Sequence, residues 1–147
     1  MKTVRSLLTL LIPLAFAPTL LDAAELVAGP KGGRLFSIPP LRAEFFVTAD
    51  RKAEVTFYDA ALQPVAPGAQ RVSVIAEAPA QRLKLDLAKT ATGFASTATL
   101  PEGEPYRIVL QIRAAPDAQP HNFRLDLNLA TCGECQHAEY ACTCKGH

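Results

Sequence analysis

Hydrophobic and polar residues alternate in short segments along most of the chain between residues 34 and 129. In the segment 82–87, Leu83, Leu85 and Leu87 would share one face, and the charged residues between them would share the other. A period of two residues is typical of a β-strand with one buried face. This pattern predicts eight strands, at residues 34–38, 42–48, 53–58, 71–76, 82–87, 93–100, 106–112 and 122–129.

The segments between these strands are polar or contain proline and glycine, and none has a convincing helical period. Residues 59–68 are predicted to form a loop, with Asp59 placed to accept hydrogen bonds from backbone amides at its start. Eight short strands without helices predict an all-β protein, an antiparallel β-sandwich that is immunoglobulin-like.

The first 24 residues have a different pattern. Two basic residues precede an apolar run at residues 7–21, and Ala23 and Ala24 follow it. This order is typical of a secretory signal peptide. The apolar run contains two prolines and is shorter than the roughly 20 residues that span a bilayer. We therefore expect no stable membrane insertion after the signal is removed.

This pattern divides the chain into a signal peptide (1–24), a β-sandwich domain (25–130) and a Cys/His-rich tail (131–147). Removal of the signal takes away two basic residues and one acidic residue, which leaves 13 of each. A neutral chain without a basic cluster lacks the electrostatic footprint of a nucleic-acid-binding protein. We expect a periplasmic or secreted protein with no nucleic-acid partner.

All four cysteines and two of the three histidines lie in the tail, where the cysteines are spaced C-x2-C-x6-C-x-C. A C-x-x-C pair chelates one ion, and a second pair completes a tetrahedral site if residues 136–141 turn back. Thiolate and imidazole ligands favour zinc or copper over magnesium or calcium. The predicted metal ligands are Cys132, Cys135, Cys142, Cys144, His137 and His147.

Disulfide bonds are the alternative interpretation of the same cysteines. Thiols tend to pair in an oxidising compartment, and four cysteines allow three connectivities. The protein would then be a disulfide-stabilised β-sandwich interaction module without metal. Metal binding is preferred because a sandwich with its own core has little need of cross-links, and because disulfides do not explain the neighbouring histidines.

Enzymatic signatures are not found in the sequence. A cysteine nucleophile needs a histidine base, and no local motif marks such a pair. The first two cysteines lack the βαβ context of a thioredoxin-like redox site. Glu102 and Glu104 lie in a Pro/Gly turn, which is typical of a solvated hairpin tip. We therefore expect a binding protein that is not an enzyme.

Three segments also carry a family resemblance: GPKGGRL at 29–35, AEFFV at 43–47, and VTFYD at 55–59 with Pro64 and Val65 after it. In this order they resemble a small periplasmic β-domain found with heavy-metal efflux systems, in or beside their adaptor proteins. The resemblance implies a periplasmic setting, metal handling and an efflux component as a partner. In such relatives the glycine-rich turn often carries a histidine, and Lys31 occupies that place here.

Overall fold

The computed structural model describes residues 26–144, so the predicted signal peptide and His147 lie outside the described residues. Within this range the chain forms ten β-strands, one 3₁₀ turn at Glu139–Ala141 and no α-helix. The strands are β1 (Val27–Ala28), β2 (Arg34–Ile38), β3 (Leu41–Val47), β4 (Ala53–Tyr58), β5 (Arg71–Ala78), β6 (Gln81–Leu85), β7 (Leu87–Lys89), β8 (Gly93–Ser96), β9 (Tyr106–Arg113) and β10 (His121–Leu127).

These strands form two antiparallel sheets. The first has the order β1-β2-β3-β4-β8-β7, and the second has the order β10-β9-β5-β6. The chain leaves the first sheet after β4, returns to it at β7, and leaves it again after β8. The predicted all-β architecture with two antiparallel sheets is confirmed. Within residues 26–144, no helix is long and apolar enough to cross a membrane.

One apolar core receives side chains from both sheets. Along β9, Ile108, Leu110 and Ile112 are fully buried, whereas the residues between them are only partly covered. Phe36 of β2 and Phe123 of β10 meet between the sheets, with ring centroids 4.4 Å apart. Each such buried side chain contributes about 1.5–3 kcal/mol to stability. The alternating pattern therefore identifies the core-facing positions of β9 correctly.

The segment 82–87 differs from the prediction, because it contains two strands that belong to different sheets. The chain changes sheets at Asp86, whose carbonyl oxygen accepts the Thr97 backbone N–H at 2.9 Å. Leu85 and Leu87 nevertheless contact the same core from its two sides. Alternation alone does not reveal such a change of sheet, because the inner faces of both sheets are apolar.

Two loop predictions have opposite outcomes. The Oδ1 atom of Asp59 accepts the backbone N–H groups of Ala61 and Gln63, each at 2.9 Å, as predicted.

Glu104 is not the solvated carboxylate that its turn suggested. It forms an ion pair with the Arg51 guanidinium, and its side chain is only 16% exposed. The partner comes from the distant β3–β4 turn, which local sequence does not indicate.

A buried carboxyl group holds the glycine-rich turn between β1 and β2. Glu44 of β3 is fully buried, and it accepts the backbone N–H groups of Lys31 and Gly33 at 3.0 and 2.7 Å. Its other oxygen accepts the Tyr58 hydroxyl at 2.7 Å. A Cβ at Gly29 would lie 2.3 Å from the Glu44 carboxyl carbon, so glycine is required there. The turn is thereby fixed beside the C-terminal segment.

Candidate metal centre

The chain after β10 folds back on itself and brings the two cysteine pairs together. Thr131 and Ala138 form an antiparallel bridge, and the Cys132 N–H donates to the His137 carbonyl at 2.8 Å. The Gln136 N–H donates to the Cys132 carbonyl at 3.1 Å, which closes the turn containing the first pair. Gln136, with φ of 62°, is the residue in the left-handed conformation. The return predicted for residues 136–141 is present.

The 3₁₀ turn Glu139–Ala141 fixes the second pair to the core. Tyr140 is 5% exposed, and its ring lies edge-on to Phe45 of β3 with centroids 6.0 Å apart. The Tyr140 hydroxyl oxygen accepts the Val47 N–H at 3.1 Å. Ala141, directly before Cys142, is 1% exposed. Tyr140 and Ala141 thereby make this segment part of the core.

The four cysteine sulfurs lie within 4.8 Å of one another, and none is in a disulfide. The Cys142 sulfur is 3.3 Å from that of Cys132 and 3.6 Å from that of Cys135, and the Cys132 and Cys144 sulfurs are 3.8 Å apart. Sulfurs bound tetrahedrally to zinc at about 2.3 Å are about 3.8 Å apart, whereas bonded sulfurs are about 2.05 Å apart. The cluster therefore has dimensions close to those of a tetrahedral thiolate site.

The cluster is buried on one side and accessible on the other. Cys132 and Cys142 are 2% and 3% exposed, respectively, whereas Cys135 and Cys144 are partly exposed. The two buried sulfurs belong to the residues that the backbone bridge and the 3₁₀ turn hold in place. An ion bound here would be anchored from the core and reached from the side of Cys135 and Cys144.

Backbone amides favour the thiolate form of the first pair. The N–H groups of Cys135 and Glu134 donate to the Cys132 sulfur and lower the pKa of that thiol. The His137 N–H does the same for Cys135, and with the Thr143 N–H it outweighs burial and lowers the pKa of Cys135 to about 7. Such hydrogen bonds stabilise negative charge on sulfur. They arise from the local turns and have no side-chain signature in the sequence.

In the second pair, Cys142 and Cys144, the surroundings raise the pKa of both thiols. The Cys142 sulfur and burial raise the pKa of Cys144 well above its usual value. The Cys144 N–H donates to the Cys142 sulfur at 3.4 Å and lowers its pKa, but burial and the Cys132 sulfur outweigh this effect. The pKa of Cys142 is therefore raised. A bound cation would favour the thiolate form of all four residues, because it supplies the missing positive charge.

Of the two predicted histidine ligands, His137 lies within residues 26–144, and it is not part of the sulfur cluster. The Nδ1 atom of His137 lies 3.1 Å from the position that a Cβ would take at Gly32, so its ring faces the glycine-rich turn. His137 contributes to the cluster through its backbone N–H and carbonyl groups. His147 lies outside the described residues. Metal ligation by either imidazole remains a prediction.

No protein-family model, curated protein or solved structure matches the chain. The resemblance to domains associated with heavy-metal efflux therefore stays a prediction from three sequence segments. The arrangement of the four cysteines is the observation on which a functional conclusion rests.

Proposed function

We propose that this protein is a periplasmic or secreted metal-binding protein that holds one ion with the thiolates of Cys132, Cys135, Cys142 and Cys144. The observation that carries the proposal is the convergence of four free sulfurs within 4.8 Å. Backbone N–H groups directed at Cys132 and Cys135 support it further, because metal binding requires deprotonated thiols.

Zinc is the proposed ion. Four sulfurs at close to tetrahedral separations match the S4 geometry that zinc adopts in proteins. Copper(I) also prefers thiolate ligands, and the sequence alone does not separate the two metals. The number of converging sulfurs favours zinc, and metal analysis distinguishes them directly.

The proposed site is a stable part of the domain, because Cys132 and Cys142 are buried and their backbone is tied to β10 and the core. Closed sites with four protein ligands are typical of structural zinc. The partly exposed sulfurs of Cys135 and Cys144 give the ion a route of access. We propose that the ion enters from this exposed side after the protein has been exported.

The finer fold assignment and the cellular setting are also part of the proposal. The order β3-β4-β8-β7 corresponds to strands A-B-E-D of an immunoglobulin-like sandwich, and β10-β9-β5-β6 corresponds to G-F-C-C′. This correspondence supports an immunoglobulin-like fold. The signal-peptide pattern supports export, and the resemblance of residues 29–65 supports a heavy-metal efflux component as a partner.

Metal analysis of the chain purified under reducing conditions tests the proposal. We expect close to one zinc per chain in the wild type and none in the Cys132→Ser, Cys135→Ser double variant. His137→Ala is the matched control, because its imidazole lies outside the sulfur cluster. It should retain the metal. Loss of zinc in His137→Ala with all four thiols intact would show that the ligand set is wrong.

The mass of the intact protein tests the disulfide alternative. Protein from an oxidising compartment should keep the same mass after reduction if its thiols hold metal. Two disulfides would add about four mass units on reduction, one hydrogen at each sulfur. A metal-free protein with that mass increase would be an interaction module instead, and the proposed metal site would be excluded.

A further inference from the structure

A groove opens between the edges of the two sheets, where β1 and β2 approach β10. It has a volume of about 620 Å³, which lies in the range of small-molecule sites. None of the cysteines lines it. Its walls consist of apolar and arginine side chains with two small polar residues, namely Val27, Arg34, Leu35, Phe36, Ser37, Arg42, Asn122, Phe123 and Arg124.

The apolar part of the groove is built around the contact between Phe36 and Phe123. Leu35 and Val27 also line the groove. Val27 is 46% exposed and its neighbour Leu26 is 39% exposed, and they are the only exposed large hydrophobic side chains within residues 26–144. Exposed apolar surface beside a concave site is typical of a binding surface.

The charged side chains that line the groove within residues 26–144 are all cationic. They are Arg34, Arg42 and Arg124. Within residues 26–144, none of these three arginines forms an ion pair, whereas Arg51 and Arg82 each pair with a glutamate. Asp126 lies in the adjoining cleft, 3.8 Å from Arg107.

Arg34 joins the two parts of the groove. Its guanidinium carbon lies over the Phe36 ring, 5.4 Å from the centroid, so the cation is held against the apolar surface. Burial lowers the pKa of Arg34, and Asp126 acts in the opposite direction. An anion in the groove would restore the stabilisation that this guanidinium loses by leaving water.

We infer that the groove binds a single-chain amphiphile with an anionic head group, of the fatty-acid class. The alkyl chain would lie on Phe36 and Phe123, and the carboxylate would pair with Arg34 and Arg124. An uncharged apolar ligand would leave the arginines without a partner. A hydrophilic anion would leave the aromatic surface in contact with water. An anionic amphiphile would pair with the arginines through its head group and cover the aromatic surface with its alkyl chain.

Calorimetric titration of the purified full chain with monomeric dodecanoate tests this inference. We expect one equivalent to bind, with octanoate about a hundredfold weaker because it buries four fewer methylenes. Dodecyltrimethylammonium has the same chain and a cationic head, and it should not bind. These comparisons use the wild-type protein and so do not depend on the folding of a variant.

Two variants locate the site. Arg34→Gln combined with Arg124→Gln should weaken dodecanoate binding by about tenfold or more, because two charge-assisted contacts are lost. Arg71→Gln removes an exposed arginine from β5, outside the groove, and should leave the affinity unchanged. Circular dichroism confirms that each variant is folded.

Three results would overturn the inference. Equal binding of the anionic and cationic amphiphiles would show a non-specific apolar surface. Unchanged dodecanoate affinity in a folded double variant would place the site elsewhere. Binding to vesicles that contain anionic phospholipid, without binding of monomeric dodecanoate, would assign the arginines to a membrane surface instead.

Discussion

Glu44 places a buried carboxyl group under the glycine-rich turn between β1 and β2, where two backbone amides and the Tyr58 hydroxyl donate to it. Glu44→Ala should lower the free energy of unfolding by about 3–5 kcal/mol, because these donors stay buried without an acceptor. Urea unfolding measures the loss. Glu54→Ala is the control, since it removes an exposed ion pair with Lys31, and it should cost less than about 1 kcal/mol. Equal losses would show that the buried bonds contribute little.

Cys135 should be the most reactive thiol of the reduced, metal-free protein. Its pKa of about 7 leaves a large thiolate fraction at neutral pH, and its sulfur is partly exposed. We expect iodoacetamide to modify it first, with a rate that falls as the pH drops below 7. Peptide mass spectrometry identifies the modified residue.

Cys144 provides the matched comparison for this experiment. It is also partly exposed, but its pKa is raised, so it should react slowly at pH 7. Zinc should protect both thiols. Equal rates for the two residues without metal would contradict the effect assigned to the His137 and Thr143 amides.

The sequence predicts that the four cysteines come together, because their spacing is a local property of the chain. It does not predict their different pKa values, which depend on the backbone N–H groups that the folded turns direct at each sulfur. Nor does it identify Glu44 as buried. Its partners lie 11 to 14 residues away in the chain, and only the fold brings them together.

Tyr140 connects the 3₁₀ turn Glu139–Ala141 to β3. Tyr140→Ala should lower the free energy of unfolding by about 3–5 kcal/mol, because it leaves a cavity beside Phe45. It should also weaken zinc binding, since the turn fixes Cys142. Tyr140→Phe keeps the ring and loses only the bond from Val47, so it should cost about 1–3 kcal/mol with nearly unchanged zinc affinity.

Urea unfolding and competition with a zinc chelator measure the two quantities for these variants. If Tyr140→Ala destabilised the protein without changing zinc affinity, the turn would not position the cluster. Full zinc affinity in the destabilised Tyr140→Ala variant would thus show that Tyr140 stabilises the fold without positioning the cysteines.

The hydrophobic pattern predicts where a strand of five or more residues lies better than it predicts the sheet to which the strand belongs. Residues 34–38 and 53–58 form strands with the predicted bounds. The pattern does not reveal β1, which has two residues, because so short a segment shows no period. The change of sheet at Asp86 is also hidden, since the alternation continues through it. Both depend on pairing partners that are distant in sequence.

The whole domain should respond to metal removal as one unit. Tyr140 and Ala141 belong to the same core cluster as the strands of both sheets, so the proposed metal site and the sandwich share their packing. A strong chelator should lower the melting temperature in a single transition. Zinc at 1,000 times its dissociation constant stabilises the folded state by about 4 kcal/mol.

The Cys132→Ser, Cys135→Ser double variant is the control for this experiment, because the chelator should have no effect on its melting temperature. Calorimetry follows both proteins. A wild-type transition that stays unchanged while the thiols become accessible would show that the cluster unfolds separately from the sandwich.

The hydrogen bond from Val47 to Tyr140 joins residues 93 positions apart and sets the order of events during biosynthesis. Tyr140 follows all ten described strands in the chain, so the core lacks one of its aromatic side chains until every one of these strands has been synthesised. Contacts between such distant residues slow folding. All ten strands are thus synthesised before the residue that fixes Cys142, and we expect the cysteine cluster to form after the strands have paired.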